Sequence, residues 1–583
     1  MRPDPLPVPV EPSAEPAWGS DAIAALLSRL NFPYIAMVPG SSYRGLHDSL
    51  VNYLGNTGPQ LVVCLHEEHA VAIAQGYAKV TGEPMLVGLH ANVGLMHAAM
   101  AIYNAYADRA PMVMLGATGP VDAAKRRPWI DWVHTAADQA SLIRDYVKWD
   151  DQPGSLRAAL ESIVRGSVLT RAQPSAPVYV CLDTEIQEDP LEEGVALPDP
   201  ARYPVPLAPA PDARTVTDLL RRIREAERPV LLLGRAGRGE AEWQARVALA
   251  EAAGLAVLTD LRMPATFPTE HPQHPARPGA GRLSPTGKQL LQAADLVIAL
   301  NWTELGGTLH GAFGDGPRPT VVNCRDTGAL LNGWVKDQYG TVPVDLEITA
   351  GPDQVIASLL SQATGAQARD DWPPTFDAAQ RPEWNGEGDP ILMPDLAAAI
   401  AVAAGETPVS FTTLPLGWFG DDARFAHPLD YLGRDGGGGV GSGPGIAVGA
   451  ALALDGTGRI PVAVIGDGDF LMGSSALWTA AHYRLPLLVV VANNRSYHND
   501  EGHQQQVAQR RGRPVENRTV GQHLRDPDPD PATIARGHGL SAHGPVREPD
   551  ELATVLAKAF DEVRAGGTVL VDVLVNPFGY GRA

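Results

Sequence analysis

Two stretches in the last third of the chain carry residue types that could do chemistry together. The apolar run 460–465 reads as a strand and leads directly into Gly466-Asp467-Gly468. After twenty-four further residues, which include the helix-like SALWTAAHY and the apolar run 487–491, comes Asn493-Asn494. Two consecutive strands of a parallel sheet would then end in an Asp and an Asn at their carboxyl edges, where open α/β sheets bind ligands. Asp467 and Asn494 both offer hard oxygen donors. Magnesium collects about six such oxygens and commonly takes some from a diphosphate, so the pair suits a magnesium-diphosphate ligand. The same residues are also ordinary turn formers, which is the competing reading.

Upstream lies LGRDGGGGVGSGPGIAVGAALAL, whose glycines permit close backbone approach to a ligand and lead into a small-residue helix. Gly436, Gly438 and Gly441 satisfy the letter of a G-x-G-x-x-G dinucleotide pattern. The context excludes it: no strand precedes the glycines, and Asp455 falls in a DGTG turn before a strand instead of at a strand's end.

The elements that must position these groups alternate short apolar runs with longer amphipathic stretches, the pattern of parallel sheets flanked by helices. The sequence predicts an α/β protein of three domains. A frayed segment at 1–18 is followed by a domain at 19–187, a Pro- and acid-rich linker at 188–213, a central Rossmann-like domain at 214–361, a second linker at 362–390 and a last domain at 391–583. A length of 583 residues fits three or four domains of ordinary size. The formal charge of −21 disfavours nucleic acid and anionic membrane as partners. Cys64, Cys181 and Cys324 lie far apart, which excludes a disulfide framework or a Cys-rich zinc site. A Pro-studded start and the lack of any apolar run near 18 residues lead to the expectation of a soluble, cytoplasmic protein.

G-D-G followed after twenty-four residues by N-N resembles the signature of thiamine diphosphate-dependent enzymes of the 2-oxo acid decarboxylase and acetolactate synthase superfamily. The first domain carries the matching half: in LHEEHAVAIAQGYAKVTGEP, Glu67 stands nine residues before the Gly of GYA, where this family has its cofactor-activating glutamate, whereas Glu68 is off that spacing. The resemblance covers nearly the whole chain and implies pyrimidine-binding, central and diphosphate-binding domains in that order. It implies thiamine diphosphate and Mg2+ as cofactors, with Asp467, Asn494 and the carbonyl of Ser496 as metal ligands and Gly468 beside them. The Gly438 carbonyl would accept from the aminopyrimidine. Val440 would wedge between the cofactor's rings, although valine is smaller than the usual residue. Thr412 and Thr413 would touch the diphosphate. It also implies at least a homodimer, with a homotetramer expected, because the glutamate and the diphosphate site come from different subunits.

Within the family, the motif pattern is most similar to benzoylformate decarboxylases. ALWTAAHYRLP resembles their helix, His90 lies twenty-three residues after Glu67 as their catalytic histidine does, and Ser41 in VPGSSYRGL matches the serine that holds the substrate carboxylate. An imidazole near neutrality suits proton transfer to and from a carbonyl substrate. His310 differs in spacing from the family's second histidine and is not assigned to the site. Val133 and His134 fall where those enzymes have two pocket leucines, and Trp129 and Trp132 stand close by, as a substrate wall or as an exposed interface. His498 and His503, in the atypical segment after Asn494, either reach the site or sit on a lid. The expected reaction is decarboxylation of a 2-oxo acid more polar than benzoylformate to an aldehyde, with carboligation to a 2-hydroxyketone as a companion activity. An acetolactate synthase-like carboligase is the runner-up, although LGATGPVDAAKR lacks the glutamine segment of such synthases. The residues are also compatible with a 2-hydroxyacyl-CoA lyase and, in a different class, with a non-catalytic relative. The GRAGRG turn of the central domain offers a place for a flavin (FAD) or adenine nucleotide, but FAD is not expected.

Overall fold

The computed structural model describes residues 15–326, 342–362, 386 and 388–576. Its strands form three sheets in which every pairing is parallel. The first holds β1 (Tyr34–Met37), β2 (Gln60–Val63), β3 (Met85–Leu89), β4 (Met112–Thr118), β5 (Trp149–Asp151) and β6 (Pro177–Asp183), in the order β2-β1-β3-β4-β6-β5. The second holds β7 (Pro229–Leu233), β8 (Ala256–Leu258), β9 (Leu296–Leu300), β10 (Thr320–Arg325) and β11 (Leu346–Thr349), in the order β11-β10-β9-β7-β8. The third holds β12 (Val409–Thr413), β13 (Ile460–Gly466), β14 (Leu487–Asn493), β15 (Ser541–Val546) and β16 (Thr568–Leu574), in the order β12-β13-β14-β16-β15. β4, β6, β14 and β16 are buried along their whole length, which is why they read as unbroken apolar runs: helices cover both faces of a parallel sheet.

The first and third sheets share a four-strand order, β3-β4-β6-β5 matching β13-β14-β16-β15. They are joined through two helices, Glu67–Thr81 and Gly443–Leu454, packed backbone against backbone. A Cβ on Gly76 would overlap the Ile446 carbonyl, and one on Gly449 would overlap the Ile73 carbonyl, so both positions require the absence of a side chain. The contact merges apolar residues of both domains, among them Ile73, Ala74, Ala447, Val448 and Ala451, into one core.

A buried polar cluster ties all three domains at the far end of the first helix. Asp108 receives Lys79 and the Gln75 amide (2.8 Å), faces the Arg235 guanidinium of the central domain, and Lys79 also donates to the Arg434 carbonyl of the third (2.9 Å). In the central GRAGRG turn, the Gly237 N–H donates to Asp353 (2.7 Å) and Arg246 binds the same carboxylate (2.8 Å).

At the expected frayed start, Ala17 and Trp18 are held: the Ala17 carbonyl accepts from Leu191 (2.9 Å) and Trp18 pairs with Pro190. This corrects the expectation for those two residues, while 1–14 lie outside the described residues. The first expected linker contains a short helical turn, Pro200–Arg202, and ends where Asp212 caps the helix Ala213–Glu225. Most of the second expected linker lies outside the described residues. All three cysteines are free and buried, and burial pushes each thiol up to about 12. No described helix is long and apolar enough to cross a membrane.

Candidate active site

β13 and β14 are neighbours in register, Gly466 opposite Ala492, so the residues that follow them emerge side by side. Asp467 opens the short helix Asp467–Gly473 and is buried. Its Oδ2 accepts from the Ser496 N–H (3.1 Å), and Asn494 Oδ1 accepts from the same N–H (2.9 Å). The two side chains predicted to share a metal thus converge on one backbone amide. Arg495, between Asn494 and Ser496, takes a left-handed φ of 56°, which folds the chain back tightly. Asn493 is spoken for elsewhere, donating to Asp572 (3.0 Å). Burial pushes the Asp467 carboxyl up to about 6 against several backbone N–H donors, and a cation placed against it would favour its ionised form. Among the described residues no cluster of three or more His, Cys, Asp or Glu is placed to hold a metal. One carboxylate oxygen and one amide oxygen side by side are the donor types that suit magnesium completed by further oxygens from ligand and water.

The glycine loop beside this edge is clamped from two domains. Asp469 Oδ1 accepts from Gly441 (2.6 Å) and Gly443 (3.3 Å), and Asn104, wholly buried in the first domain, accepts from the Gly439 N–H (3.2 Å). Gly438 has φ 68° with open space around it, so its backbone conformation alone calls for glycine. Val440 is half exposed (52%), with Met472 (55%) and Met100 (39%) exposed on either side of the loop. Sequence reasoning missed Asp469 and Asn104. Asp469 was legible as the second carboxylate of GDGD, and Asn104 as a lone amide in an apolar helix.

Thr412 is fully buried and its hydroxyl turns toward the Val462 carbonyl of the neighbouring strand (3.5 Å), while Thr413 ends β12 half-buried. The ring of Tyr497 lies against Gly468.

In the first domain, Glu67 begins its helix buried, and Glu68 is half-buried with its carboxyl pushed up by burial. His97 Nδ1 stands 3.0 Å from Glu67 Oε2. His90 caps the next helix at the end of β3, and its Nδ1 lies 2.7 Å from the hydroxyl of Ser42, not of Ser41. Its ring packs against Gly40 and stands edge-on to His134 at 4.8 Å between centroids. Burial first, then His134, push the His90 imidazole below its ordinary value, and Glu67 opposes them. The structure therefore brings Ser42, His90 and His134 together, with Ser41 adjacent to Ser42 in the turn Ser41–Tyr43. His134 Nδ1 and Asn92 Oδ1 are buried without a hydrogen-bond partner beside them.

The loop carrying Val133 and His134 is fixed by buried Asp131, which binds Arg127 (2.8 Å), and by Asn92, which donates to the Val133 carbonyl (3.1 Å). It leaves Trp129 and Trp132 on the surface. The segment after Asn494 folds back on itself. Buried Glu501 receives the Ser496 hydroxyl and meets His523 at 3.2 Å, and His498 stands 3.8 Å away. His503 is exposed on the same helix, His498–Arg510. His310 sits on the helix Leu305–Phe313 of the central domain.

Paired oxygen donors at one sheet edge, a clamped glycine loop and a histidine at the edge of a second, related sheet are the features of a three-domain α/β enzyme. The chain belongs to the thiamine pyrophosphate enzymes, matching in order their N-terminal TPP-binding domain (17–142), central domain (216–313) and C-terminal TPP-binding domain (416–573). It is 27% identical to benzoylformate decarboxylase of Pseudomonas aeruginosa, over 88% of this chain and 91% of that one. It is 26% identical to acetolactate synthase of Mycobacterium bovis, over 82% and 76%. The thiamine diphosphate-dependent 4-hydroxybenzoylformate decarboxylase of Rhodococcus jostii RHA1 has the same fold, with a TM-score of 0.76 and 22% identity over 96% of this chain and 99% of that one.

Proposed function

We propose that this enzyme is a magnesium- and thiamine diphosphate-dependent decarboxylase of a polar 2-oxo acid, releasing an aldehyde and, with an acceptor aldehyde, a 2-hydroxyketone. The observation that carries the cofactor half is the convergence of Asp467 and Asn494 on the Ser496 amide at adjacent strand ends. Those two side chains and the Ser496 carbonyl would hold magnesium. Gly438 would receive the aminopyrimidine, and Val440 would fill the space between the rings. Thr413 is the better placed of the two threonines for the diphosphate, because the Thr412 side chain serves the sheet. When bound, the cofactor supplies a carbon nucleophile for the substrate carbonyl and a sink for the electrons left when carbon dioxide departs.

The chain's own residues do the rest. Glu67 holds a proton at the pyrimidine nitrogen. Ser41 binds the substrate carboxylate. His90, kept neutral by burial and oriented by Ser42, exchanges a proton at the substrate's carbonyl oxygen. His134, in place of an apolar wall, supports a substrate whose far end makes hydrogen bonds. The exposed Val440, Met472 and Met100 support an assembly, a homodimer or homotetramer, that covers this edge. A cytoplasmic location fits the three buried, unbridged thiols.

Mass-spectrometric product analysis on a panel of 2-oxo acids, with and without an acceptor aldehyde, tests the reading. Aldehyde from a polar 2-oxo acid is expected, and preference for benzoylformate would overturn the substrate assignment. Acetolactate from pyruvate alone would favour the carboligase reading, which the acetolactate synthase relative supports. Glu67→Gln should bind cofactor yet lose most turnover; near-native turnover would remove Glu67 from its role.

A further inference from the structure

His97 is not among the residues that the family motifs single out, yet it makes a direct hydrogen bond to the Glu67 carboxylate. It lies on the helix Ala91–Ala107, and its Nδ1 is 3.0 Å from Glu67 Oε2. Against an ionised carboxylate, which only accepts, the donor in this bond is Nδ1. The ring is held from its other side: it stacks on His66 with centroids 4.7 Å apart and planes 16° from parallel. His66 is itself fixed as the cap of the Glu67 helix, accepting the Glu68 N–H at 3.2 Å. The second carboxylate oxygen rests against bare backbone, because a Cβ on Gly94 would lie 3.0 Å from Oε1. The carboxylate is deep and the imidazole shallow, with side chains 9% and 58% exposed, so the bond runs from a buried oxygen to a ring at the surface.

We infer that His97 is a positioning residue, holding one oxygen of Glu67 so that the carboxylate is oriented before the cofactor's pyrimidine arrives. Fixing a Glu rotamer in advance removes an ordering cost from the binding step. The inference rests on Glu67 as the pyrimidine's partner.

Calorimetric titration of thiamine diphosphate with magnesium into the full-length protein tests it, using His97→Ala, His97→Gln, Glu67→Ala and the His97→Ala/Glu67→Ala double variant, each checked for a native melting transition. His97→Ala should weaken binding about 10-fold when Glu67 is present and less than about twofold when it is absent, since a residue acting through another loses its effect with it. His97→Gln, which keeps an N–H donor, should restore affinity to within about threefold of the native protein. Unchanged or tighter binding by His97→Ala would show that the imidazole merely fills the cofactor's place, and equal losses in both backgrounds would reduce it to packing; either result overturns the inference. If Glu67→Ala binds as the native protein does, the Glu67 assignment fails and takes His97 with it. If Glu67→Ala weakens binding and His97→Ala does not, only the His97 inference fails.

Discussion

The hydroxyl of Ser42 lies 2.7 Å from Nδ1 of His90, and this bond, made by the neighbour of the serine that the motif points to, fixes the imidazole at the end of β3. Ser41 and Ser42 share one short turn, Ser41–Tyr43, so under the proposed function adjacent hydroxyls would divide the tasks of holding a substrate and aiming a base. Ser42→Ala should lower kcat by about 10-fold with little change in KM, the loss of one orienting hydrogen bond. Ser41→Ala should act mainly on KM. Steady-state kinetics on the best substrate of the 2-oxo acid panel checks both, and the reverse pattern would exchange the two roles.

His90 should set an acid limb in the pH profile of kcat/KM that lies below the ordinary histidine value, because burial and His134 both disfavour its protonated form. Replacing His134 by Gln removes the second cause and keeps polarity, so His90 should protonate more readily and the limb should move to higher pH. A limb that stays put in His134→Gln would separate the two imidazoles functionally.

Asp469 should matter to cofactor affinity although it is not expected to touch the metal. Its Oδ1 holds the Gly441 and Gly443 amides, and a buried carboxylate receiving two N–H groups makes strong, charge-assisted bonds. Asp469→Ala should weaken thiamine diphosphate binding by at least about 10-fold while the magnesium donors stay in place, as read by calorimetry. Asn104→Ala, which frees the loop from the other domain, should act in the same direction.

His69 should subtract from stability as pH drops from about 6.5 toward about 4, while the buried Asp467, Asp469 and Asp572 carboxyls, each raised to about 6, act in the opposite direction. His69 is buried against Ser475 (2.8 Å), and burial lowers its imidazole to about 4 from an ordinary value of 6.5. The folded state keeps it neutral, the unfolded chain takes up a proton, and stability is lost through that window as pH falls. The contribution at pH 5 is on the order of 2 kcal/mol. In urea unfolding at pH 7 and pH 5, His69→Gln should shift the balance toward greater stability at pH 5 than in the native protein. His274, wholly buried and also lowered to about 4, acts in the same direction as His69 and should do so still in His69→Gln.

What the amino-acid sequence determined by itself was local or strictly spaced. Apolar runs bounded by Gly-Asp-Gly and Asn-Asn placed Asp467 and Asn494 at strand ends, because a strand's direction and exit are written in consecutive residues. The spacing from Glu67 to GYA and to His90 marked one helix and the next strand's end in the same way. Tertiary structure decided what depends on surfaces meeting across hundreds of residues. Gly76 and Gly449 read as ordinary small helix residues until the two helices are brought together. Asn104 and Asp469 clamp one glycine loop from different domains, and Ser42 takes the bond to His90 because the turn of Ser41–Tyr43 aims it there. Thr412 faced inward for the same reason: a one-residue alternation along β12 sends neighbouring side chains to opposite faces, and only the packed sheet shows which face is buried.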